Sequence, residues 1–317
     1  MNALAPRGMQ RLLRPLYLER SPVPVPGWMW VVGRFNRLFD NIGVTARNQQ
    51  DGVTKADRIT GALNRAYWPG GATTHKGLYA GSWGKQTRIH PPADLDLLYV
   101  LPWSVYTRFE ARLGNRQSAI LQEVKAQLAP TYPNTSLRGD GQVLVVNCAS
   151  IVVEVVPAFE FANGQFLTCD TNVGGRYKLT DPRAEVASLD SSDRRFNGRV
   201  RRLVRMAKLW RRASGADIPS FALELLAVEF MAAWPHSGWD WWDWMVRDFL
   251  AYMISQANTW VHFPVTREAY WLGDSWKPRA ERALRAAEKA CTYEQLSWDE
   301  LAATEWSSVF GRKFLGS

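Results

Sequence analysis

Apolar residues recur at helical spacing between about residues 47 and 67, where Val53, Ala56, Ile59, Leu63 and Tyr67 fall together and "WPGG" ends the run. The stretch "DLDLLYVL" then alternates and is rich in Leu, Val and Tyr, which predicts a strand. A second helix is predicted from about 106 to 129. "QVLVVN" and "SIVVEVVPAF" read as two further strands bounded by "RGDG" and "NGQ". The first half is therefore mixed α/β. After the crossover "FANGQFLTCDTNVGGRYKLTDP" the period changes, and from about residue 184 helical patterns dominate. The Trp-rich stretch "WPHSGWDWWDWMVRDF" and the tail "WSSVFGRKF" lie in this helical half, where aromatics packed between helices are the default over a base-stacking platform. Arg176 and Tyr177, in the crossover, have the chemistry to bind phosphate or stack on a base, with a plain loop role as the default.

Composition narrows the class. A chain of 317 residues, 46% hydrophobic and 22% charged, can bury a sizeable core in one large or two smaller domains. No apolar run approaches the roughly 18 residues of a membrane helix, and the N-terminal segment lacks the apolar core of a secretory signal, so a cytoplasmic protein is expected. Cys148, Cys169 and Cys291 fit no zinc spacing and are expected to be buried thiols. The four histidines form no paired ligand motif, so any metal must be held by carboxylates, which favours Mg2+ or Mn2+.

Charge adds one element. Of the net +9, most sits in "RVRRLVRMAKLWRR", residues 199 to 212, which holds seven basic side chains and no acidic one. Val200, Leu203, Val204 and Ala207 make an apolar stripe, with Arg201, Arg205, Lys208 and Arg212 beside it. Such a helix is a solvated basic face or a seat for a polyanion.

The candidate chemistry lies in the first half. Asp94 and Asp96 stand at i and i+2 of a strand and share one face, where two carboxylates can share divalent ions. Asp-x-Asp alone is weak, but Glu154 sits inside the apolar strand "IVVEVVP", where an unpaired charge is costly and a metal or an arginine would satisfy it. Gly81 permits close backbone approach to a ligand, and Ser82 offers a hydroxyl and an N–H suited to phosphate. Long helix, Gly-Ser, Asp-x-Asp strand and a later acidic strand, in that order, form the constellation.

With these residues in place, the chain resembles the polymerase-β-like nucleotidyltransferases. "LVRMAKLWRR" followed by "IPSFALELL", and the end "WSSVFGRKF", are similar to the bacterial cGAS/DncV-like nucleotidyltransferases (CD-NTases). The resemblance covers about residue 35 to the C-terminus. It implies an α+β, two-lobed protein: a mixed α/β catalytic lobe with a long spanning helix, placed at 1–175, and a helical-bundle lobe at 176–317, with the nucleotide in the cleft between them. It implies that Asp94, Asp96 and Glu154 are catalytic and hold two Mg2+ ions, with Mn2+ an alternative. Gly81, Ser82, Lys208 and Ser220 would bind the donor triphosphate. On the residues alone, Lys208 equally reads as a side chain snorkelling to water and Ser220 as a helix N-cap.

The implied activity is synthesis of a cyclic di- or trinucleotide second messenger from NTP substrates, ATP among them, with release of pyrophosphate. The implied setting is CBASS-type anti-phage signalling, in which a downstream effector responds to the product. A monomer, an activating RNA or a regulatory protein, and no membrane partner complete that picture. Two departures stand out: Glu154 where Asp is commoner, and Gln86 before Thr87 where the family often shows Gly-Thr. A linear-oligonucleotide synthase, or nucleotidyl transfer to RNA or a small acceptor, is the second enzymatic reading; a nucleic-acid-binding pseudoenzyme is the alternative of another class.

Overall fold

The computed structural model describes residues 28–71, 75–92, 94–264 and 266–314. The expectation about a leader falls on the N-terminal segment, outside the described residues. Two compact units are present: a sheet unit spanning Val44–Ala187, and a helical unit that takes in residues 28–43 and most of the described chain from Ser188 onward. Helix α1, Trp28–Ile42, belongs to the helical unit.

The sheet unit opens with α2, Ala46–Tyr67, whose N-cap Thr45 accepts a 3.2 Å hydrogen bond from the Asn48 N–H. Strand β1 (Gly77–Tyr79), a helical turn α3 (Gly81–Gly84) and β2 (Asp94–Val100) follow. The helix expected at 106–129 is two helices, α4 (Trp103–Glu110) and α5 (Arg116–Leu128). Gly114 at φ +85° and the Asn115 side chain, which caps α5 through the Ser118 N–H at 2.9 Å, break what apolar spacing alone read as continuous. Strands β3 (Leu137–Asp140), β4 (Val143–Asn147), β5 (Val152–Glu160), β6 (Phe166–Asp170) and β7 (Arg176–Thr180) complete the sheet, and α6 (Pro182–Arg195) leaves it.

Strand order is β1-β2-β5-β4-β3, with β6 on β5 and β7 on β6. Only β2 and β5 run parallel among the described pairs of this sheet; the remainder are antiparallel. One face carries Leu95, Leu97, Tyr99, Leu144, Val146, Val153 and Val155 against Ala56, Ile59 and Leu63 of α2 and Ile120, Leu121 and Val124 of α5, all buried. The alternate residues of β2 and β5 form a smaller apolar cluster of Leu98, Val100 and Ala158 with Phe166. Period-2 alternation in β2 is therefore amphipathic only at its start, where the aspartates stand.

Several expectations shift. "RGDG" is not a bounding loop, since its first three residues belong to β3, which turns into β4 at Gly141 with φ +59°. The crossover is two paired strands, so Arg176 and Tyr177 lie in β7: Arg176 is 3.0 Å from the buried Asp170 carboxylate, and Tyr177 donates to Glu110 at 3.1 Å. A boundary at 175/176 would cut between β6 and β7, where Thr168 faces Lys178; the sheet unit runs on to Ala187.

In the helical unit α7 (Arg199–Ser214), α8 (Ser220–Ala233), α9 (Trp242–Ser255), a β8–β9 ribbon (Trp260–His262, Ala269–Trp271), α10 (Lys277–Gln295) and α11 (Asp299–Phe310) follow α6. Aromatics pack its core. Phe35 of α1 meets Trp306 edge-on at 5.2 Å and Phe314 at 5.4 Å, so the tail "WSSVFGRKF" closes on the first helix. Within the Trp-rich stretch Trp234, Trp241 and Trp242 are buried as core packing requires, whereas Trp239 is exposed.

Candidate active site

Register brings the acidic residues together. In the parallel β2–β5 pair Asp96 faces Glu154, and Asp94 faces Val152 one step earlier on the same side. All three carboxylates occupy a half-buried sheet face whose opposite side is fully apolar. Strand alternation decides this: Leu95, Leu97, Val153 and Val155 go to the core, which obliges Asp94, Asp96 and Glu154 to the other side.

Turn α3 lies directly against this face. Gly81 has φ +50°, and a Cβ added there would sit 1.8 Å from Oδ2 of Asp96. Glycine is required by the carboxylate itself, a closer constraint than the approach of a ligand that the sequence suggests. Trp83 pins the turn: its Nε1 donates to the Asp94 carbonyl at 2.9 Å, its ring stacks on Tyr79 at 6.0 Å, and Arg88 lies 4.5 Å over it. The ring occupies space that only Gly52 of α2 leaves, since a Cβ there would come within 2.2 Å. Ser82 is half-buried on the first turn, and its carbonyl accepts from the N–H of the buried Thr87 at 3.0 Å. Gln86 has φ +56°, a left-handed backbone that favours glycine. Gln86 therefore stands, with some strain, in a backbone conformation that glycine adopts freely.

Electrostatics single out Glu154. Burial raises its carboxyl above the usual range, and the neighbouring Asp94 and Asp140 raise it further. Accumulated negative charge on a surface of carboxylate oxygens is the donor set that a hard divalent cation takes, so the residues fit the metal the resemblance implies. Among the described residues, the trio of potential ligands drawn within 4.8 Å of one another is a different one, Asp243, Cys291 and Glu294; the β2–β5 carboxylates do not form so tight a group.

Lys208 and Ser220 lie in the helical unit. Lys208 does not snorkel to water: it is buried on α7 and its Nζ lies 2.6 Å from Oε1 of the equally buried Glu224 on α8. Ser220 opens α8 without capping it, and its hydroxyl accepts from Arg211 at 3.4 Å. Much of the basic helix is engaged internally as well. Arg201 pairs with Asp190 and, at 2.9 Å, with Asp193, Arg199 pairs with Asp240 at 2.9 Å, and Arg202 lies 5.2 Å over Phe39.

Sequence reasoning missed Trp83, Asp140 and Glu224. Glu224 carried a legible signal, a lone charge within the apolar run "FALELLAV", the same signal that exposed Glu154. Asp140 carried none, because its effect depends on the fold of the β3–β4 hairpin.

A mixed sheet with a Gly-Ser turn abutting Asp-x-Asp, and a third carboxylate on the adjoining parallel strand, defines a polymerase-β-like nucleotidyltransferase. Residues 29–192 match the Second Messenger Oligonucleotide or Dinucleotide Synthetase domain, about half of the chain, and the chain belongs to that family. It is a CD-NTase, a nucleotidyltransferase of the cyclic-oligonucleotide-synthase class, in a metal-dependent family. A curated relative from Bacillus cereus (strain VD146), named a probable cyclic nucleotide synthase, is 23% identical over 88% of this chain and 97% of its own length. Solved structures share the fold. CdnG of Bradyrhizobium diazoefficiens in complex with GTP is 14% identical with a TM-score of 0.65, covering 90% of this chain and 96% of that one. CdnC of E. coli MS115-1, solved with ATP, is 18% identical with a TM-score of 0.62 over 90% and 98%. The di-nucleotide cyclase DncV of Vibrio cholerae, as a mutant with ATP and GTP, is 12% identical with a TM-score of 0.65 over 88% and 95%. No helix among the described residues is long and apolar enough to cross a membrane.

Proposed function

We propose that the chain joins NTPs, ATP among them, into a cyclic di- or trinucleotide with release of pyrophosphate, serving anti-phage signalling in a bacterial cell. The observation that carries this reading is the facing of Asp96 and Glu154 across parallel strands, beside Asp94 and against Gly81. Asp94, Asp96 and Glu154 would hold Mg2+, two ions in the full reading, with Mn2+ an alternative; a cation bound there would supply charge neutralisation for phosphoryl transfer. Gly81 and Ser82 present first-turn N–H groups and a hydroxyl to the donor triphosphate. Glu154, with its raised carboxyl, accepts the proton of the attacking hydroxyl. Lys208 and Ser220 serve the outer phosphates, and Glu224 positions the Lys208 ammonium.

A regulatory protein is a further element of the reading, since CdnC of E. coli MS115-1 has been solved as a complex with HORMA-deltaN. The test is incubation with the four labelled NTPs and Mg2+, followed by phosphatase and product identification. A phosphatase-resistant product, lost in Asp94→Ala/Asp96→Ala, is expected. A product that phosphatase degrades would transfer the assignment to a linear synthase. A failure to form any carboxylate-dependent product, with or without RNA, would remove the synthase reading.

A further inference from the structure

The helical unit contains a second cluster of metal-ligating side chains, distinct from the carboxylates of the sheet unit. Cys291 and Glu294 stand at i and i+3 on α10 and so share one helix face. Asp243, in the first turn of α9, joins them, and one ligand atom from each lies within 4.8 Å of the others. All three are buried, at 4% exposure for Asp243, 1% for Cys291 and 7% for Glu294.

Hydrogen bonding leaves this cluster incomplete. Oε1 of Glu294 accepts from Nε1 of Trp306 on α11 at 2.8 Å. Its other oxygen, Oε2, and Oδ1 of Asp243 are buried with no donor from the rest of the protein, and the two carboxyls lie within hydrogen-bonding reach of one another. Of the nearby cations, Arg247 pairs with Asp248 at 2.7 Å and Arg34 with Asp299 at 3.3 Å, and from those positions their charges act on Asp243 and Glu294 without hydrogen-bonding the two free oxygens. Burial raises both carboxyls, and Asp243 raises Glu294 further. Two buried carboxylate oxygens without donors are costly unless a cation or a proton stands between them.

We propose that Asp243, Cys291 and Glu294 bind a divalent transition-metal ion, zinc by the chemistry of the donors, which clamps α9 to α10 and, through Trp306, to α11. One thiol with two carboxylates is a borderline-soft set that Mg2+ disfavours and Zn2+ accepts. Cys291 releases its thiol proton as it binds, and the dipositive ion supplies the countercharge that the two unpartnered oxygens need. Ligands at i and i+3 of one helix facing a carboxylate of another follow the way helical bundles build metal sites. The clamp is structural, and it stands independently of the reaction carried out by the sheet unit.

The test uses the full chain in the Asp94→Ala/Asp96→Ala background, so that those carboxylates contribute no metal. After dialysis against a weak chelator, elemental analysis is expected to give about one zinc per chain. Replacement by Co2+ should produce a thiolate-to-cobalt charge-transfer absorption. Both signals should vanish in Cys291→Ser and in Glu294→Gln, and persist in Cys148→Ser/Cys169→Ser, a control that decides the matter even if the first two variants fold poorly. A strong chelator should lower the Tm of the zinc-loaded chain. Folded chain with less than about one-tenth of a metal per molecule would overturn the proposal in favour of a shared proton. So would a cobalt spectrum that lacks the thiolate band.

Discussion

At the scale of single residues, the site depends on contacts that tolerate almost no displacement. Gly81 has no room for a methyl group beside Asp96 and has a left-handed φ. Gly81→Ala should therefore destabilise the chain by about 1–2 kcal/mol of backbone strain, with the cost of pushing the Asp96 carboxylate aside added to it. Its kcat should nonetheless fall by about 100-fold, because a displaced Asp96 misplaces a metal ligand. Steady-state kinetics beside a thermal melt separates the two effects. Glu154 makes a pH prediction. Its raised carboxyl keeps its proton at pH values where an ordinary glutamate is ionised, and a cation must displace that proton. Half-saturating Mg2+, measured calorimetrically, should rise as pH falls through the mildly acidic range. Asp140→Asn, which removes one of the charges that raise Glu154, should move that rise to lower pH.

At the scale of elements, α7 and α8 are joined by a buried charge pair. Lys208 and Glu224 are each about 8% exposed, so neither can lose its partner without leaving an uncompensated charge. Lys208→Ala should cost about 3–5 kcal/mol in denaturant unfolding, and Lys208→Ala/Glu224→Ala should recover part of that loss. If Lys208 also serves the donor triphosphate, the stabilised double variant will still show a raised KM for ATP. Strand β5 is the other decisive element, because its first half pairs with β4 and its second half with β6, while β2 lies along its other edge. That arrangement places Glu154 beside Asp96.

For the whole molecule, the net charge of +9 overstates the positive surface available to a polyanion. Arg199, Arg201, Lys208 and Arg211 of the basic helix are engaged with Asp240, Asp190 and Asp193, Glu224 and Ser220 respectively. Binding of a random single-stranded RNA, followed by anisotropy against salt, should give a log–log slope no steeper than about −2, as expected when no more than about three phosphates are neutralised. A nucleic-acid-binding module built on that helix would give a much steeper slope.

Much of this architecture was legible in the chain, for particular reasons. Burial on one face of a strand writes an alternation into β2 and β5, and the exceptions to apolarity, Asp94, Asp96 and Glu154, marked the site. The 3.6-residue period likewise located α2 and α7. Weakly patterned strands were not legible: β3, β6 and β7 are short, and their pairing depends on partners distant in sequence. Spacing rules also found no metal motif around Cys291, because its ligand partner Asp243 lies 48 positions earlier in the chain. By itself, the sequence determined which side chains had to leave the apolar core, because the transfer of charge out of water is unfavourable wherever it occurs. Only the tertiary structure decided which of those side chains meet, because strand register and helix packing set distances between residues far apart in the chain.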